Sequence, residues 1–116
     1  MSEIYDLYSQ GCAHLKRGDV AQALVPLEKA KARAPDKASI RERLGIAYFR
    51  LGRWDEAERE FRALLDIQPN DDYGHYALGR CLEKQGHARE ANGHYKLASS
   101  LRPASRQYRA RIKNLD

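Results

Sequence analysis

Apolar side chains recur at helical spacing in blocks along this chain, with polar residues filling the intervals. From Ser39 to Leu51 the apolar positions are Ile40, Leu44, Ala47, Tyr48 and Leu51. From Trp54 to Ile67 they are Trp54, Ala57, Phe61, Leu64 and Leu65. Each set forms a single stripe on a helix. Gly52 stands between the two blocks, where a glycine ends a helix in the left-handed conformation. Asp55 and Glu56 fall in the first turn of the second helix, where carboxylates suit the helix dipole. Asp55 with Arg59, and Glu58 with Arg62, make favourable i,i+4 pairs. Pro69 closes the unit, and Asn70 or Asp71 can cap the helix that follows.

The same pattern returns at a spacing of 34 residues. Gly11, Gly45 and Gly79 align, as do Gly18, Gly52 and Gly86. So do Ala23, Ala57 and Ala91, then Leu27, Phe61 and Tyr95, then Pro35, Pro69 and Pro103. A fixed period of this length marks stacked supersecondary units. The first glycine column sits inside a helix, where glycine costs about 1 kcal/mol relative to alanine. Antiparallel packing within each unit accounts for that cost. Gly45 facing Ala57 would let two backbones approach closely, and the same contact would recur in all three copies.

These columns resemble the tetratricopeptide repeat. The middle copy carries Leu44-Gly45, Tyr48, Ala57, Phe61 and Pro69; the third carries Leu78-Gly79, Ala91, Tyr95, Ala98 and Pro103. The first carries Gly11, Ala23, Leu27, Ala30 and Pro35. The family's first large position is occupied by Leu7, Arg41 and His75, never by tryptophan; Gln10 replaces a leucine, and His14 and Leu82 replace the aromatic. The resemblance implies an all-α solenoid of three helix-turn-helix repeats, spanning about 4–37, 38–71 and 72–105, in one domain over 1–116. A capping helix over 105–115 is expected to follow, with Ser105 as N-cap and Tyr108, Ile112 and Leu115 on its inner stripe. Pro26 lies inside a helix, where it removes a hydrogen bond, and Gly74 and Gly93 weaken both helices of the third repeat.

Composition narrows the class. The chain has 116 residues and a net charge of +5, with 42% hydrophobic and 32% charged residues. No run approaches the length of a membrane helix. The sequence "MSEIYDLYSQ" has no basic flank or apolar stretch of a secretory signal, so the cytoplasm is the expected location. The charge is uneven: Arg102, Arg106, Arg109, Arg111 and Lys113 face a single acid, Asp116, in the last 15 residues. The high pI therefore describes one basic end.

No enzyme motif is present: there is no phosphate-cradling loop, no HExxH and no nucleophile elbow. His14, His75, His87 and His94 match no metal spacing, and no cofactor is expected. His14 reads as a core or boundary residue and His87 as a turn residue. Cys12 and Cys81 lie two repeats apart, roughly 20 Å at ordinary helix spacing, too far for a disulfide. Cys81 shares its column with Ala13 and Ala47 and reads as a buried small residue.

The resemblance also implies that the first helix of each repeat lines a concave groove. Carried onto this chain, the first repeat offers Tyr5, Tyr8, Cys12, Leu15 and Lys16. The second offers Ser39, Glu42, Ile46, Phe49 and Arg50, and the third Tyr73, Tyr76, Arg80, Glu83 and Lys84. Tyr5 and Tyr8 recur as Tyr73 and Tyr76, and Lys16, Arg50 and Lys84 form a basic column. Tyrosines with cations suit a peptide carrying acidic groups. One subgroup of the family binds the C-terminal carboxylate of chaperones; its clamp positions here hold Tyr8, Cys12, Arg43, Tyr73 and Ala77, so that clamp is missing. The expected function is non-catalytic binding of an acidic peptide or helix in the groove, as an adaptor or scaffold. The alternatives are nucleic-acid or anionic-surface binding through Arg106, Arg109, Arg111 and Lys113, and self-association.

Overall fold

A computed structural model describes residues 3–115. Seven helices succeed one another among the described residues: α1 (Glu3–Arg17), α2 (Val20–Arg33), α3 (Ala38–Arg50), α4 (Trp54–Ile67), α5 (Asp72–Lys84), α6 (Ala88–Leu101) and α7 (Arg106–Arg111). The first six pair as α1 with α2, α3 with α4 and α5 with α6, and each pair packs on the next. The stack measures 51 × 25 × 21 Å. No described helix is long and apolar enough to cross a membrane.

Turn and cap residues act where the period puts them. Gly18, Gly52 and Gly86 have φ of 87°, 74° and 85°, a conformation that costs glycine nothing. The Asp71 carboxylate accepts from the Gly74 amide at 2.8 Å, and the Ser105 hydroxyl oxygen accepts from the Tyr108 amide at 3.2 Å. α2 runs unbroken through Pro26, which is buried. The core is the inner stripe of every helix, with Leu27, Leu44, Ala57, Phe61, Leu78, Ala91 and Tyr95 at most 1% exposed.

The glycine column has a different partner from the one the spacing suggested. A Cβ built on Gly45 would meet three ring atoms of Phe61 at 2.6–2.8 Å. Gly11 and Gly79 meet Leu27 and Tyr95 in the same way, at 2.4 and 2.6 Å. The missing side chain therefore makes room for a large residue one helical turn beyond the alanine column, and the nearest atoms belong to that residue.

The closing prolines form a second set of joints. Arg41 Nε donates to the Pro35 carbonyl at 2.9 Å. His75 Nε2 lies 2.8 Å from the Pro69 carbonyl, and Arg109 donates to the Pro103 carbonyl. The position that lacks tryptophan thus ties each unit to the end of the one before. Within a unit the same position meets the second helix: Arg41 Nη1 pairs with Glu60 Oε1 at 3.0 Å, and His75 Nδ1 lies 3.1 Å from His94 Nδ1.

α7 begins in register as the first helix of a further unit, with Ser105 and Arg109 equivalent to Asp71 and His75. It is shorter than the expected 105–115. The backbone turns extended at Ile112, with φ −69° and ψ 129°, because α6 supplies a competing partner. The Asn92 amide donates to the Lys113 carbonyl at 2.9 Å and accepts from the Lys113 N–H at 2.7 Å. Tyr108 is buried and Ile112 half-buried against the core, while Leu115 offers its carbonyl to Arg89.

Candidate binding groove

α1, α3 and α5 lie side by side, and three depressions run along the face they form. The first, near the N-terminus, is bounded by Ile4, Tyr5, Tyr8 and Ser39. The second gathers Cys12, Leu15, Lys16, Arg43, Ile46 and Arg50. The third is a cavity of about 150 Å³ walled by Ile46, Phe49, Phe61, Tyr73, Tyr76 and Ala77, with Arg50 and Arg80 also lining it. Tyr5, Tyr8, Cys12, Lys16, Ile46, Phe49, Arg50, Tyr73, Tyr76 and Arg80 therefore share one face. Lys84 lies one turn beyond Arg80, its ammonium 5.5 Å from the centre of the Trp54 ring.

Positions equivalent in sequence are not equivalent in environment. Tyr5 is 61% exposed where its counterpart Tyr73 is half-buried, and Tyr8 is half-buried where its counterpart Tyr76 is 6% exposed. α5 has neighbours on both sides, and the Tyr76 ring lies tilted against Tyr108 of α7 with centroids 5.0 Å apart. Gln107 and Arg80 both reach the Tyr76 hydroxyl, at 3.1 and 3.5 Å, and they hold its phenol below the usual range although burial pushes the other way. Burial raises the Tyr73 phenol. Ala13 is exposed while its column partners Ala47 and Cys81 are fully buried. Both cysteines are free, and burial pushes the Cys81 thiol up to about 12, leaving it inert.

Glu83 departs from the groove expectation. It accepts from the Tyr95 hydroxyl at 2.8 Å and from Lys113 Nζ at 2.7 Å, with Arg111 at 3.5 Å. It fastens the C-terminal segment instead of facing a ligand, and those cations hold its carboxyl below the usual range. This also alters the basic end. Arg111 and Lys113 share Glu83, Arg102 meets Asp72 at 3.0 Å, and Arg109 is engaged by Pro103. Arg106 is exposed on the outer side of α7.

The groove cations are held differently. Arg43 Nε donates to the Tyr8 hydroxyl at 3.4 Å, and Arg50 Nη1 donates to the Leu15 carbonyl at 3.1 Å. The Arg80 guanidinium lies over the Phe49 ring at 5.3 Å. Among the described residues, none of Lys16, Arg43, Arg50, Arg80 and Lys84 forms an ion pair with a carboxylate. Glu42 is the half-buried acid of this face, and burial raises its carboxyl against the pull of Arg43. The sequence placed Lys16, Arg50, Arg80 and Lys84 on one face; that none of them forms an ion pair among the described residues is visible only in three dimensions.

Residues 14–81 match the tetratricopeptide repeat family. A curated relative, the tetratricopeptide repeat and J domain-containing co-chaperone DNJ1 of Fusarium oxysporum f. sp. lycopersici, is 30% identical over 105 residues. The alignment takes in 90% of this chain and 20% of that protein, so the chain spans a fifth of its relative's length. The solved structure of a MamA mutant is 30% identical, with a TM-score of 0.82 over 87% of this chain and 74% of that one. The first tetratricopeptide domain of Spaghetti (RPAP3), solved bound to an HSP90 peptide, superposes with a TM-score of 0.91. It covers 95% of this chain and 87% of that one at 18% identity, a likeness of fold alone.

Proposed function

This chain belongs to the tetratricopeptide repeat family, and from that premise we propose that it is a non-catalytic protein-binding module. The groove along α1, α3 and α5 takes an extended peptide or helix of acidic character. One observation carries the acidic part: among the described residues the five groove cations form no ion pair with a carboxylate, whereas Arg111 and Lys113 of the basic end are paired internally. A cation that has kept its charge on a concave, partly apolar face is poised to pair with a ligand carboxylate. The basic end has spent much of its charge on Glu83 and Asp72, which argues for the groove over a phosphate-binding reading. The peptide seen on the Spaghetti domain is a property of that protein; it supports the groove as a place where this fold can receive a peptide.

Charge reversal separates the two surfaces. Arg50→Glu and Arg80→Glu should each weaken capture of an acidic partner by about tenfold, since a like charge replaces an attraction. Arg106→Glu should leave it unchanged. Titration of labelled acidic peptides and of short oligonucleotides at two salt concentrations checks this. Oligonucleotide binding lost on Arg106→Glu, with peptide binding indifferent to the groove, would reverse the assignment. Tyr76→Ala is unsuitable as a probe because it also removes the contacts with Tyr108 and Gln107.

A further inference from the structure

We propose that the cavity between α3, α4 and α5 is an anchor site for one phenylalanine side chain of the partner, carried on a segment with carboxylates on neighbouring residues. The inference rests on the groove reading above and names the side chain that reading leaves open.

Four rings converge on this cavity: Phe49, Phe61, Tyr73 and Tyr76. Phe61 and Tyr73 meet edge to face at 6.3 Å and 73°, and Tyr73 and Tyr76 are tilted at 6.2 Å. A further ring entering there finds both faces and edges, the arrangement aromatic pairs prefer. The volume, about 150 Å³, is that of an apolar protein cavity that accepts benzene. A phenyl group fills it; a methyl group leaves most of it empty. The floor depends on Gly45, because any Cβ there would push into the Phe61 ring.

The charges select what flanks the ring. Arg50 and Arg80 line the same cavity without an ion-pair partner among the described residues, and Arg80 is preset over Phe49 at 5.3 Å. Two guanidiniums beside one apolar site favour two acids beside one apolar residue. A second copy of this chain cannot supply the anchor. Its only two phenylalanines, Phe49 and Phe61, already wall the cavity. The anchor therefore comes from outside this chain.

The test uses three fluorescein-labelled peptides, each acetylated and amidated so that no chain terminus contributes charge. The first is Gly-Asp-Glu-Phe-Glu-Asp-Gly. The second has alanine for phenylalanine, and the third has lysine for every acid. They are titrated into the full chain by fluorescence polarisation. The phenylalanine peptide should bind about tenfold tighter than the alanine peptide, the loss expected when a buried interface anchor is truncated. The lysine peptide should not bind. Ile46→Trp, which narrows the mouth of the cavity from a half-exposed position, should abolish the preference for phenylalanine, so that the phenylalanine and alanine peptides bind alike. Ala77→Leu, which fills the cavity from within, should do the same, with circular dichroism confirming that each variant is folded. Equal binding of phenylalanine and alanine peptides, still weakened by Arg80→Glu, would overturn the anchor and leave the acidic groove standing. Binding that ignores both the acids and Arg80→Glu would overturn both. A phenylalanine preference that survives both cavity variants, or no binding at millimolar peptide, also overturns the anchor.

Discussion

At the scale of single residues, glycine is placed where a neighbour needs its missing side chain, and the structure distinguishes those positions from the rest. Gly45 is pinned by Phe61, a ring that is 1% exposed and has nowhere to retreat. Gly93 lies inside α6 with nothing within 4 Å of a Cβ. The two should respond oppositely to alanine. Gly45→Ala overpacks the core and should destabilise by about 1–3 kcal/mol. Gly93→Ala removes a propensity cost without a clash and should stabilise by about 1 kcal/mol. Chemical denaturation of the two variants checks both signs. Sequence spacing identified Gly45 as a close contact, because a glycine that repeats inside a helix is a steric signal. It assigned the contact to Ala57 because two small residues facing each other is the simplest geometry. Which side chain leans over a glycine depends on the tilt of the helices, and spacing does not carry that.

At the scale of helices, one joint is built in two chemistries. Arg41 with Glu60 is an ion pair, and His75 with His94 is a stacked imidazole pair with centroids 5.3 Å apart. The Pro69 carbonyl can only accept, so His75 carries hydrogen on Nε2. Its Nδ1 then accepts from Nδ1–H of His94. Burial, then His75 and Arg62, hold the His94 imidazole below its usual range, with Glu90 opposing. The unfolded chain therefore takes up a proton there first as pH falls. Stability should drop as pH is lowered through about 6.5 and on to the folded-state value. Glu56, Glu58 and Glu83 are held below the usual carboxylate range, so their contributions are lost in a separate, more acidic window. Combining His75→Arg with His94→Glu copies the middle joint into the third repeat. Melting temperatures at pH 7 and pH 5 should converge in that double variant relative to the wild type; an unchanged difference would clear the pair of any role. The six-residue spacing from the closing proline to a side-chain N–H donor is present in the sequence three times, at Arg41, His75 and Arg109. At Arg41 and His75 it reads as a departure from an apolar pattern because a side chain bonded to a backbone carbonyl leaves no hydrophobic trace.

At the scale of the whole molecule, the repeats were legible because each column encodes a contact that stacking reproduces. The groove was legible only in part. Equal columns predicted equal exposure, yet Tyr5 differs from Tyr73 and Tyr8 from Tyr76 because one helix sits at the edge of the stack and the other inside it. Glu83 has the right register for the groove, but Lys113 and Tyr95 draw it away, and no local pattern announces a partner 30 residues distant. The two edges of the stack are also unlike. α6 is covered by α7 and by the extended segment that Asn92 holds, while α1 leaves Ala13 and Tyr5 open. Thermal openings should therefore start at the α1 edge and travel inward, like a zipper with one end stitched. Amide hydrogen exchange followed by mass spectrometry should show α1 and α2 exchanging faster than α5 and α6. Asn92→Ala, which cuts the stitch, should even out the gradient by speeding the far end alone.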